Sequence, residues 1–340
     1  MKILIIGGTG LMSTGITRFL MERGDEVTHY NRGITPSQIS VSPKRITGDR
    51  RDYKVFEKQM AGAGNFDVVI DMICYEPQDA ESAQRAFRGK VGQYILCSTV
   101  EVYTKFAKRY PVGEDEERRP AESYLYAVNK VKCEDILLGA YRSGDFPLTI
   151  IRPAMTYGEG KSFLNPFFAK GYIDRIRKGK PLIVHGDGNS VGVVCHRDDV
   201  ARAFVAAVGN SKTFGKAYNV TGDEWISWNR FHRGIAEAMN APSPRLVYIP
   251  TDLLGKIAPK RAFWCVENFQ FNNIYDNSAA KNELGFCYTI TWTEGARRTI
   301  DWLDKHGQIE NSDNDPEYEL IIEEWERLKE NIHELKRKSH

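Results

Sequence analysis

Tyr126 and Lys130, four residues apart in YAVNK, share one face if that segment is helical, because positions i and i+4 are neighbours on an α-helix. An ammonium beside a phenol favours phenolate. Such a tyrosine can exchange a proton with a substrate hydroxyl near neutral pH. Thr99, at the carboxyl end of the apolar run QYILCS, can hydrogen-bond the same oxygen. Taken alone, a Y-x-x-x-K match reads as an ordinary surface helix. Behind the N-terminal segment, in this order, it becomes a candidate reaction centre.

That segment is MKILIIGGTGLMSTG, whose apolar run from Ile3 to Ile6 leads straight into Gly7, Gly8, Thr9 and Gly10, with Gly15 further on. Glycines directly after a buried strand let the backbone turn tightly and approach a pyrophosphate, and a helix over Ser13 to Met21 aims its free N–H groups at that phosphate. Gly7, Thr9, Gly10, Leu11 and Met12 are therefore the candidate cofactor contacts of this turn. A second strand, Glu26 to Tyr30, follows at the spacing of a βαβ unit. The third glycine of the usual G-x-x-G-x-x-G pattern is Ser13 here, which leaves less room where helix and strand cross.

The elements that must position these residues alternate. Apolar strands are predicted at Arg45 to Thr47, Asp67 to Ile73, Gln93 to Ser98 and Leu148 to Ile151, with helices over Tyr53 to Met60, Pro77 to Phe87 and Glu122 to Tyr141. This rhythm implies an α/β fold, a doubly wound parallel sheet of the Rossmann type. Beyond Pro153 the elements shorten: a helix at Tyr172 to Lys178, a strand near Leu182, a helix at Asp198 to Val208, a strand at Ala217 to Val220 and a helix at Trp228 to Met239. The expected organisation is a dinucleotide-binding domain over 1–152 and a smaller C-terminal substrate lobe over 153–308, interleaved with the sheet. Ligands of such folds bind in a crevice at the carboxyl ends of the strands. From Pro316, Ile321, Trp325, Leu328, Ile332 and Leu335 recur at steps of four and three among many charges. They form the seam of an amphipathic helix over 309–340 that packs on the body or on a partner subunit; a homodimer is expected.

Composition narrows the classes. The 340 residues are 41% hydrophobic, enough for a sizeable core, and 47 lysines and arginines against 45 acidic residues give no electrostatic reason to expect a nucleic-acid partner. No apolar stretch approaches the roughly 18 to 20 residues of a membrane span, and the chain opens on a core strand with no signal peptide, so no membrane partner and a cytoplasmic location are expected. The six cysteines lack a C-x-x-C pair and read as reduced; the seven histidines show no metal-ligand spacing, so no metal is expected.

Together, GGTGLMSTG, GDRRD from Gly48, STVEVY, YAVNK, RPAMTYGEG from Arg152, GDGNS from Gly186, HRDDVARAF from His196 and NSAAKNELGF from Asn277 resemble the extended short-chain dehydrogenase/reductase group, the NAD-dependent epimerase/dehydratase family. The likeness spans roughly residues 1 to 305. It implies an enzyme that oxidises a carbon of a small-molecule substrate, a nucleotide sugar, with bound nicotinamide, acts on the ketone and often returns the hydride. It further implies that Tyr126 is the general base, that Lys130 tunes it and holds the nicotinamide ribose, that Thr99 binds the reacting hydroxyl, and that Asp49 and Arg50 lie by the adenine.

Departures from the family pattern carry information. Where an acidic residue usually takes the adenosine ribose hydroxyls, this chain has Asn31 followed by Arg32. Without a carboxylate to repel a 2′-phosphate, and with an arginine to pair with it, the cofactor is NAD or NADP with a lean towards NADP. Met155 and Gly192 replace an asparagine and a diphosphate-clamping arginine, leaving Arg175, Arg177, Lys161 and Arg197 as candidate substitutes. Glu101 stands two residues after Thr99 in a T-x-E-V-Y arrangement that resembles sugar-nucleotide 4,6-dehydratases and decarboxylases, in which the glutamate acts near C5. Val100 fills the place where some dehydratases carry an aspartate. The leading expectation is an epimerase. The alternatives are a dehydratase or decarboxylase with Glu101 as base, an NADP-dependent alcohol dehydrogenase or reductase, and a non-catalytic RNA-binding relative, suggested by VTHYNRG from Val27.

Overall fold

A computed structural model describes residues 1–35, 43–160, 165–167, 169 and 171–338, the side chains of 332–338 excepted. Strands β1 (Lys2–Ile6), β2 (Glu26–Asn31), β3 (Lys44–Thr47), β4 (Phe66–Asp71), β5 (Val91–Cys97) and β6 (Leu148–Pro153) alternate with helices α1 (Leu11–Glu22), α2 (Tyr53–Gly62), α3 (Pro77–Phe87) and α4 (Leu125–Arg142). With the strand Ala217–Val220 they make a seven-stranded sheet, ordered from that strand through β6, β5, β4, β1 and β2 to β3, all parallel. The order reverses between β1 and β4, and the ends of these strands are where such a sheet receives ligands.

The sheet is sandwiched. On one face Ile3, Ile5 and Ile70 pack with Ile16 and Leu20 of α1 and with Val200 and Phe204 of the helix Arg197–Ala207. On the other, Leu4, Ile6 and Leu96 pack with Phe56 of α2, Ala83 of α3 and Leu137 of α4. Burial on both faces is why Ile3 to Ile6 of β1 and Val68 to Ile70 of β4 read as unbroken apolar runs.

Two compact units emerge. One comprises residues 1–158, 193–224 and 274–291 and contains the whole sheet; the other comprises 159–192, 225–273 and 292–340. In the second, strands Leu182–His185 and Leu246–Ile249 pair in parallel. Trp228 and Phe231 stack into an aromatic cluster with Phe269 and Trp292. The long helix Pro316–Lys338 belongs to this unit and is held at its start: Ile183 N–H donates to the Tyr318 hydroxyl at 2.6 Å, and Arg175 pairs with Glu319 at 2.8 Å while stacking on the Tyr318 ring. Ile321 is buried whereas Leu328 is 43% exposed; the seam side chains Ile332 and Leu335 lie outside the described residues.

Several predicted limits shift for local reasons. Helix α1 begins at Leu11, two residues ahead of expectation, because Gly10 takes the extended N-cap conformation. The predicted strand to Ile73 ends at Asp71, whose Oδ1 accepts the Ile73 N–H at 3.0 Å and turns the chain out of the sheet. Helix α4 starts at Leu125 instead of Glu122. Among the strands not anticipated are Met155–Tyr157 and Val191–His196, which pair in parallel.

Candidate functional site

The N-terminal turn can only be made by glycine. Gly7 has φ of +86°, and a Cβ there would lie 2.6 Å from Ile73 Cγ2. At Gly8 a Cβ would sit 2.3 Å from the ring of His29, which is buried directly beneath the loop. Ser13, expected to crowd this region, closes it instead: its Oγ accepts the Gly10 N–H at 2.7 Å and donates to the Gly7 carbonyl at 2.9 Å. Close packing falls to Gly15, where a Cβ would meet Ala201 Cβ at 3.0 Å.

Thr9 stands half-buried in this turn, and Leu11 and Met12 open α1 with N–H groups that have no partner within the helix. At the end of β2, Asn31 is buried; its Oδ1 accepts the Gly33 N–H at 2.9 Å while its Nδ2 is buried without a hydrogen-bond partner. Arg32 is exposed and makes no hydrogen bond or ion pair among the described residues. A glycine-only turn, a helix N-terminus and an orphaned amide at a strand end suit a dinucleotide.

Arg50 corrects an expectation. Its side chain turns into the core, 4% exposed, stacking on Phe56 and donating to the Asp79 carbonyl and, at 3.4 Å, to Asp71 Oδ2. Burial resists its charge, but Asp71, held also by the Tyr94 hydroxyl at 2.6 Å, more than restores it. Only the Arg50 main chain is left for an adenine. Asp49 is exposed beside it, and its Oδ1 caps the Arg51 N–H at 2.9 Å.

At the end of β5, Thr99 caps the short turn Val100–Val102: its Oγ1 accepts the Glu101 N–H at 3.2 Å, and it hydrogen-bonds the Tyr126 hydroxyl. Lys130 is buried on the same α4 face, its ammonium 6.0 Å from the centre of the Tyr126 ring. Its Nζ donates to the carbonyls of Cys74 at 2.9 Å and Cys97 at 2.8 Å. Burial pushes the Tyr126 phenol up, Cys97 and Glu101 add to the rise, and only the Thr99 hydrogen bond opposes it. In this state the phenol is protonated.

Two further groups were missed. Lys105 Nζ lies 3.6 Å from Glu101 Oε2 and donates to the Tyr275 hydroxyl at 3.0 Å. Its spacing of four from Glu101 is visible in the sequence, whereas Tyr275 is 170 residues away. Glu134, four residues after Lys130, accepts two bonds from Arg152, at 2.9 and 2.7 Å, one from Ser98 Oγ at 2.5 Å and one from Arg118 at 2.7 Å. Burial resists ionisation of Glu134 and these donors outweigh it, so a charged, fully buried carboxylate ties α4 to the residue before Thr99.

The substitutes proposed for a diphosphate clamp are otherwise engaged. Arg175 holds Glu319 and the Pro181 carbonyl, Arg177 pairs with Asp304, and Arg197 lies beside Gly158 and Asp198; Lys161 falls outside the described residues. Among the described residues no cluster of His, Cys, Asp and Glu could hold a metal, and no helix is long and apolar enough to cross a membrane.

A family model described as the NAD dependent epimerase/dehydratase family matches residues 3–221. The chloroplast stem-loop binding protein of 41 kDa b of Arabidopsis thaliana is 29% identical over 309 residues, covering 86% of this chain and 77% of that protein. A trifunctional UDP-glucose 4,6-dehydratase/UDP-4-keto-6-deoxy-D-glucose 3,5-epimerase/UDP-4-keto-L-rhamnose-reductase of the same plant is 29% identical over 217 residues, 63% of this chain and 30% of that one. Among solved structures, the UDP-glucose 4-epimerase of Bifidobacterium longum in complex with NAD+ and UDP superposes with a TM-score of 0.73 at 20% identity, covering 91% of this chain and 99% of that one.

Proposed function

The chain belongs to the NAD dependent epimerase/dehydratase family, and from that premise we propose that it oxidises a secondary hydroxyl of a nucleotide sugar, most simply to invert that carbon. The observation that carries this reading is the Thr99–Tyr126 hydrogen bond at the strand end. NAD(P)+, when bound, accepts the hydride. Gly7, Thr9, Gly10 and the first N–H groups of α1, at Leu11 and Met12, hold its phosphates; Asn31 and Arg32 meet its adenosine ribose and Asp49 its adenine. Thr99 Oγ1 orients the substrate hydroxyl, and Tyr126 Oη takes its proton and later returns it. Lys130, fixed between two carbonyls, anchors α4 beside β5 and meets the nicotinamide ribose.

Arg32, exposed with its guanidinium uncommitted among the described residues, supports a 2′-phosphate and hence NADP. The residues 159–192, 225–273 and 292–340 supply the substrate lobe. Glu101 supports a second reading: its carboxylate, paired with Lys105, can take a proton from the carbon next to the ketone, as a dehydratase or decarboxylase requires.

The test uses purified protein with NAD+ or NADP+ and UDP-glucose in deuterated water. A UDP-sugar inverted at one carbon, without deuterium on carbon, supports the epimerase. Deuterium at C5 with loss of water supports the dehydratase, and no change in the sugar in any combination overturns both. The likeness to a stem-loop binding protein favours one further reading, RNA retention, which a salt-dependent binding assay on the same sample tests.

A further inference from the structure

Beside Glu101 lies Lys105, a cation that the epimerase scheme does not use. Lys105 follows Glu101 by one helical turn's spacing, and the two side chains are 12% and 10% exposed. The ammonium is 3.6 Å from Glu101 Oε2, 3.0 Å from the Tyr275 hydroxyl and 5.7 Å from the centre of the Tyr275 ring. Tyr275 is itself buried, and the chain around it is pinned where Val112 N–H donates to the Ile274 carbonyl at 2.8 Å and Asp276 N–H to the Val112 carbonyl at 2.9 Å. A lysine held in this way, on a rigid aromatic and against a carboxylate, is a fixed charge rather than a solvated surface group.

The carboxylate it faces matters to the reaction. Glu101 donates its N–H to Thr99 Oγ1, the atom that meets the Tyr126 hydroxyl, so its charge lies two residues from the reacting pair. Tyr126 is faced by Thr99, Cys97 and Glu101 at and after the end of β5, by Tyr75 from the loop after β4, by Tyr124 just before its own helix and by Lys130 within it. Of these Glu101 is a formal negative charge, and left uncompensated it opposes ionisation of the phenol.

Resting on the reading of Tyr126 as the base, we propose that Lys105 is a positioning residue: anchored on Tyr275, it holds the Glu101 carboxylate in place and offsets its charge, so that Tyr126 can surrender its proton. Two observations agree with this. Burial pulls the Lys105 ammonium below the ordinary lysine range and Glu101 opposes the fall, so the pair stabilises itself. Tyr275, raised by burial and by Glu101, Tyr103 and Tyr110, stays a neutral hydroxyl and accepts from Lys105 without competing for charge.

The test has two arms. In the first, protein labelled with carbon-13 at the lysine ε-position is titrated by NMR without substrate, the Lys105 signal being identified by its loss in Lys105→Arg. Lys105 is expected to titrate below the exposed lysines and to fall by about one further pH unit in Glu101→Gln. In the second, turnover of UDP-glucose with NAD+ is followed against pH. Lys105→Met should move the rising limb of kcat up by about one unit, Lys105→Arg should return most of it, and Glu101→Gln/Lys105→Met should fall back to the limb of Glu101→Gln alone.

Circular dichroism and melting of each variant separate these outcomes from misfolding. A Lys105 titration unchanged in Glu101→Gln overturns the pairing, as does a Lys105→Met profile lowered equally at every pH. If the parent leaves UDP-glucose unchanged while Lys105 still responds to Glu101→Gln, the sugar-nucleotide reading fails and the pairing stands.

Discussion

The Lys130 ammonium lies 4.8 Å from the centre of the Tyr75 ring and 6.0 Å from that of Tyr126. Held by the Cys74 and Cys97 carbonyls, it pins α4 to the loop after β4 and to the end of β5 at once. Its position follows from main-chain acceptors, and its distance from the phenol is a consequence. Lys130→Met leaves both carbonyls without their donor, and we expect it to destabilise the protein by about 1.5 to 3 kcal/mol in denaturant melts as well as to lower turnover. A variant that is inactive but as stable as the parent would contradict this double role.

Tyr126→Phe keeps the ring contacts with Tyr75 and Tyr124 and removes only the hydroxyl that meets Thr99. Turnover should fall about 10²-fold or more, since a positioned acid/base contributes about 10² to 10⁴. Dinucleotide binding, measured by calorimetry, should be nearly unchanged. Activity within a few-fold of the parent removes this phenol from the mechanism.

Arg32→Ala should weaken NADP by about 1.5 to 3 kcal/mol, the worth of a charged hydrogen bond, and leave NAD almost untouched. Equal losses for the two dinucleotides would mean that Arg32 borders the adenine or faces water.

His29 makes acid the weak point of the glycine turn. Its Nε2 meets Thr17 Oγ1 at 2.8 Å, its Nδ1 is buried without a hydrogen-bond partner, and burial, with Arg45 adding, pulls its pKa down to about 4. In the unfolded chain the ring titrates near 6.5, so between these values the unfolded state binds more protons and stability rises with pH. The neutral ring's contribution is therefore complete above pH 6.5 and is lost as pH falls towards 4, by at most about 3 kcal/mol. Melts over this window, with His29 followed by ring NMR, check it; a ring that titrates near 6.5 in the folded protein would refute it.

What was legible in the sequence was whatever one element decides by itself. Helix α3 runs over the predicted span because Pro77 opens it at N1 and Asp79, accepting the Glu76 N–H at 3.0 Å, closes the capping box. The parallel sheet was legible because its central strands, buried on both faces, carry short apolar runs, Ile3 to Ile6 in β1 and Val68 to Ile70 in β4. Relationships made by the fold were not. Lys105 and Tyr275 have no shared period, and the inward turn of Arg50 depends on Asp71, 21 residues on, already sitting in the core. The meaning of Ser13 was inverted for a similar reason: a missing glycine reads as lost space, whereas its hydroxyl supplies the turn's hydrogen bonds.

The sheet-bearing unit borrows Val193–Glu224 and Ile274–Thr291 from far along the chain, and its consequence is genetic. Phe204 and Leu284 from those loans pack on the same sheet face as Ile3, Ile5 and Ile70. A gene cut after residue 158 would thus encode strands with this apolar face covered by α1 alone, and the part left bare is a surface that associates with other chains. Recombination cannot lift the sheet-bearing unit out of this protein as a contiguous cassette. Exchange between relatives should succeed only where 159–192, 225–273 and 292–340 are replaced together, because Trp292 and Glu319 of the last stretch hold Phe231 and Arg175 of the other two.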